Sequence, residues 1–139
     1  VGRYPRNYLF RFEQAQMYGA IGDKNNALAT VATIAAMKKA GAPGYAQIAW
    51  EKIYYEEANV EFWYNDLDLA LANFKKVTAA PKDPDLNIGV LAYMRQGQIY
   101  DMKSRRDLAA EAYKQAIAFA PQSDTAKESK RYLNSPYRR

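Results

Sequence analysis

The residues best equipped for chemistry are three glutamates close together, Glu56, Glu57 and Glu61. Glu57 and Glu61 stand one helical turn apart, which would bring two carboxylates to one face for acid–base work. Nothing else joins them. The chain has no histidine and no cysteine, so imidazole bases, thiolate nucleophiles, thiolate metal sites and disulfides are all excluded. Each of the four serines lacks a histidine to activate it. The three glutamates are therefore expected to be a solvated helix face. Asp83, Asp85 and Asn87 alternate like the first ligands of a calcium loop, but the sixth and twelfth positions are Ile88 and Met94 where Gly and Glu are needed. Gly41 and Gly44 are not followed by the Lys and Ser/Thr of a phosphate loop. The expectation is no catalytic residue, no metal and no cofactor.

The elements that carry these side chains are helical. At 139 residues, 49% hydrophobic and 14% aromatic, the chain can bury a substantial core. Apolar residues recur near a 3.6-residue period, with no strand signal. Helices are expected near 6–20, 24–39, 45–64, 66–79, 86–102, 105–119 and 123–133. Two loops interrupt them. Around Gly41, Pro43 and Gly44 a helix must end after Lys38 and Lys39, whose charges suit a helix C-terminus. Around 81–87, Pro81 and Pro84 forbid helix, and Asp85 can cap the next one. No apolar run is long enough to span a membrane.

The net charge of +5 lies at the ends: Arg3, Arg6 and Arg11 give +3, the segment 127–139 gives +4, and the remainder carries −2. Such a distribution reads as solvated ends rather than a nucleic-acid face. The chain opens on Val1 and reads as the C-terminal part of a larger protein of bacterial type. The absence of cysteine is compatible with a cytoplasmic, periplasmic or secreted setting.

The same side chains return at intervals. Residues 90–123 place Tyr93, Gly97 and Tyr100 on one helix, Ala109, Tyr113 and Ala116 on the next, and Pro121 at the stop. Upstream, Tyr54 and Ala58 precede Ala70 and Phe74. Further upstream, Ala15 and Tyr18 precede a Gly22–Asp23 turn and Ala27, Val31 and Ile34. The signature alanines Ala27, Ala70 and Ala109 are 43 and 39 residues apart. The pattern resembles the tetratricopeptide repeat: an aromatic, then Gly, Tyr, Ala, an aromatic and Pro over about 34 residues. Gln96 and Tyr113 depart from its Leu and Phe.

The resemblance implies an all-α, right-handed solenoid of antiparallel hairpins forming a single domain over 1–139. The repeats would cover about 8–41, 51–84 and 90–123, and a capping helix about 123–134 would pack through Ala126, Tyr132 and Leu133. It also implies a non-catalytic interaction module in which the first helix of each hairpin lines a concave groove for a partner peptide. On that register the groove residues are Phe12, Gln16, Tyr55, Asn59, Phe62, Trp63, Met94, Gln98 and Asp101. The family's carboxylate-gripping subtype is not matched. Its positions carry Phe12, Gln16, Leu91 and Arg95, of which Arg95 alone fits. Two other readings stay open: an appendage docked on its own parent chain, with 1–8 filling the groove, or glycan or nucleic-acid binding through the aromatic surface.

Overall fold

The computed structural model of the chain describes residues 7–79 and 86–138, with side chains over 11–79 and 87–138. The Asp85 cap, most of the 81–87 loop and the groove-filling role suggested for 1–8 lie outside the described residues. Among those described there are seven helices and no strand: α1 (Asn7–Ala20), α2 (Lys24–Lys39), α3 (Trp50–Trp63), α4 (Leu67–Thr78), α5 (Leu86–Met102), α6 (Arg106–Phe119) and α7 (Asp124–Asn134).

The hairpins α1–α2, α3–α4 and α5–α6 are joined by one repeated turn. Gly22, Asn65 and Ser104 each adopt a left-handed conformation, with φ of 86°, 65° and 60°. In each turn the next residue donates its N–H to a carbonyl five positions back: Asp23 to Tyr18, Asp66 to Glu61 and Arg105 to Tyr100. This bond satisfies a carbonyl that the ending helix leaves open. Glycine takes the conformation freely and Asn tolerates it, whereas at Ser104 the turn is closed by backbone bonds from Ser104 to Asp101 and from Arg105 to Tyr100.

Small residues set how closely the helices of a hairpin pack. Ala27, Ala70 and Ala109 are all fully buried, as is Ala58. At Gly97 an added Cβ would stand 2.5 Å from Cε1 of Tyr113, so the ring occupies the space that a side chain would need. Three apolar clusters succeed one another along the hairpins, centred on Val31 and Ile34, on Phe62 and Phe74, and on Met94 and Tyr113.

One expected boundary moves. Residues 45–49 are not the start of α3. Tyr45 and Ile48 donate to Ala42 and Tyr45 in successive tight turns, which drive both side chains into the first cluster. Ser123 caps α7 by accepting the Ala126 N–H at 3.0 Å. Ala126 of α7 is fully buried, and Tyr132 and Leu133 pack on the third cluster.

The helix contacts define the curvature. The first helices touch in series, α1 with α3, α3 with α5 and α5 with α7, whereas α2, α4 and α6 make no contact with one another among the described residues. A stack whose inner helices meet and whose outer helices diverge is concave on the inner side. No helix of the described residues is long and apolar enough to cross a membrane.

Candidate partner-binding site

Along the later helices the chain's own side chains pack over the concave side, leaving a mostly polar recess of about 560 Å³ at Asn65, Asp101, Met102, Tyr137 and Arg138. Between α3 and α5, the Arg95 guanidinium lies over the rings of Phe62 and Trp63, 4.9 and 5.2 Å from their centroids. Its NH1 donates to Gln98 Oε1 at 2.8 Å. Between α5 and α7, Tyr132 packs on Tyr113 and Tyr137 folds back against Tyr132. The Tyr137 N–H donates to the Asp101 carboxylate at 2.9 Å.

Between α1 and α3 the surface stays open. A recess of about 290 Å³ lies there. One wall is small, Ala15, Gly19 and Ala20; the other is Asn59, Val60, Trp63 and Tyr64, with Gln16 at its edge. The Tyr64 hydroxyl donates to the Gly19 carbonyl at 2.9 Å and ties the two helix ends together. Trp63 is 54% exposed. It is the one exposed aromatic ring among the described residues, and a single ring is no platform for stacking successive bases.

The nine residues expected in the groove therefore separate. Gln16, Asn59 and Trp63 meet at the recess. Tyr55 is half-buried, edge-on to Phe74. Phe12, Phe62, Met94 and Gln98 are buried instead of facing a groove. An inner helix has neighbours on both flanks as well as its hairpin partner, so most of its circumference is covered. Asp101 is a structural anchor: its side chain is 1% exposed, paired with Arg106 at 3.0 Å and hydrogen-bonded by the Tyr113 hydroxyl at 2.7 Å. The expectation missed Gly19, Ala20, Ala15, Val60 and Tyr64. The first two could have been found as the small residues of α1 that face the rings of α3.

The glutamates are not a solvated face. Glu56 and Glu61 are buried. Gln16 donates to both oxygens of Glu56, and Lys52 pairs with it at 3.6 Å. Asn73 donates to Glu61 at 2.8 Å. Burial pushes the Glu61 carboxyl from 4.5 up to about 7; the Asn73 bond opposes this and the nearby Glu57 charge adds to it. The folded chain thus binds this proton more tightly than the unfolded chain. The group costs nothing below about pH 4.5 and destabilises progressively as pH rises to 7, by an amount on the order of 2–3 kcal/mol. Glu61→Gln is expected to be more stable than the parent at pH 8 and nearly equal to it at pH 4.5, as measured by urea midpoints. A gap independent of pH would contradict this.

The hairpin stack has a counterpart among solved structures. The crystal structure of MamA, a tetratricopeptide-repeat-like protein, matches with a TM-score of 0.59 and 17% identity over 96% of this chain and 78% of that chain. The fold is tetratricopeptide-repeat-like. No family model and no curated protein matches the sequence. At this identity the likeness carries architecture alone.

Proposed function

We propose that this chain is a protein-interaction module that takes a segment of a partner protein on its concave side, at the recess between α1 and α3. The observation that carries this reading is the contrast along the concave side. Arg95, Tyr132 and Tyr137 pack over the later gaps, where the larger recess left at Asn65, Asp101, Met102, Tyr137 and Arg138 is mostly polar, while the first gap keeps an apolar recess beside a half-exposed tryptophan. Keeping an indole at the mouth of an apolar slot forgoes burial energy that a closed packing would supply. Partially buried aromatic side chains in concave sites are also frequent anchors of binding energy.

The test uses the immobilised chain and a lysate of its own source cells. Proteins retained by the parent chain are expected to be lost with Trp63→Ala and kept with Leu69→Ala, whose side chain is 59% exposed on α4. Circular dichroism would verify that both variants fold. Equal recovery by all three chains would remove the recess from the partner site.

A further inference from the structure

The walls of the recess also specify what kind of segment fits, an inference that rests on the reading above. In the slot, alanines and a glycine of α1 face larger side chains of α3. Its volume of about 290 Å³ is on the scale of one bulky side chain. At its side, Asn59 Oδ1 is buried and accepts no hydrogen bond, although a buried carbonyl oxygen ordinarily finds a donor. Arg95, stacked on the other side of this wall, has Nε buried without an acceptor. It also has no carboxylate within ion-pair distance among the described residues.

The chain carries its own example of the binding mode further along the same side. There an extended backbone places the Tyr137 ring against the second apolar cluster while its N–H donates to Asp101, a side-chain acceptor on an inner helix. We propose that the recess is an anchor site for an extended, acidic partner peptide. One bulky apolar side chain fills the slot against Trp63, a backbone N–H of the peptide donates to Asn59 Oδ1, and an adjacent Asp or Glu pairs with Arg95. The charge comes from complementarity: a guanidinium without a carboxylate attracts an acidic segment and repels a basic one.

The probe is a displayed library of random dodecapeptides, selected on the intact chain. Enriched peptides are expected to share a bulky apolar residue with Asp or Glu within two positions. Their affinity is expected to fall about tenfold on Arg95→Gln, the scale of a charge-assisted hydrogen bond, and to be lost on Gly19→Leu. A Cβ on Gly19 meets nothing within 4 Å, and Gly19 lines the slot, so Gly19→Leu is chosen to place a side chain there. Ala20→Leu, on the same wall, is the second block should the first variant not fold. Peptides that bind Gly19→Leu and Ala20→Leu as well as the parent would overturn the anchor site and leave the concave-side module standing. Enriched peptides without an acidic residue, indifferent to Arg95→Gln, would overturn the charge pairing. No enrichment over an unrelated helical protein would overturn both the anchor and the module.

Discussion

Gly97→Ala is expected to destabilise the chain by about 2 kcal/mol, seen as a fall in Tm of roughly 6–10 °C. In an exposed helix the same substitution would stabilise by about 0.5–1 kcal/mol, because glycine gives up more backbone freedom on folding. The sign reverses here because of one ring. The new Cβ would lie 2.5, 2.7 and 2.8 Å from three carbons of Tyr113. That ring cannot swing away. It is fully buried, its hydroxyl donates to Asp101 at 2.7 Å, and Tyr132 lies against it at 5.5 Å. The hairpin must open or the ring must leave its rotamer, and either costs more than the propensity gain. Gly19→Ala is the control: it is the same change on another inner helix, with nothing within 4 Å of the added carbon. Thermal melts should separate the two variants in opposite directions. A Gly97→Ala variant as stable as the parent would mean that the third hairpin does not pack around this contact.

Gly97 also marks what could be read from residue types. In the first two hairpins a small Ala15 or Ala58 shares a cluster with Val31 or Phe74, and in the third Gly97 lies directly against the larger Tyr113. A change in one partner is offset in the other, so spacing and size together disclosed the hairpins. The turns were half legible. Gly22 announced its left-handed conformation, but Asn65 and Ser104 hold the equivalent one without a glycine. The groove was the least legible part. Whether an inner-helix residue reaches solvent depends on what fills the gap beside it, and the fillers come from far along the chain. Tyr137 reaches Asp101 from 36 positions away, and Asn73 reaches Glu61 from the next helix. Periodicity placed Phe62, Met94 and Gln98 on an inner helix, but it carries no record of the neighbour that covers them.

Arg106→Ala is expected to cost about 3–4 kcal/mol, the larger of the two effects, because it leaves a buried carboxylate without its cation. Arg106 NH1 lies 3.0 Å from both oxygens of Asp101. Its NH2 donates to the carbonyls of Tyr132 and Leu133 at the end of α7. One guanidinium thus neutralises a 1%-exposed side chain and satisfies carbonyls that a helix terminus leaves open. Without it, Asp101 keeps only the Tyr113 hydroxyl and the Tyr137 N–H as described donors. Asp101→Asn is expected to cost less, about 1–2 kcal/mol: the amide still accepts hydrogen bonds, and Arg106, whose side chain is 38% exposed, can be hydrated instead. The decisive comparison is the double mutant. In the Asp101→Asn background the stranded charge no longer exists, so adding Arg106→Ala should cost only about 1 kcal/mol for the lost α7 carbonyl bonds. Urea midpoints of the four chains give the coupling directly. Additive costs would show that the pair is not linked and that Arg106 acts through its bonds to the α7 carbonyls instead; a coupling of about 2–3 kcal/mol would make Asp101–Arg106 the joint that fastens the end of the chain to its third hairpin.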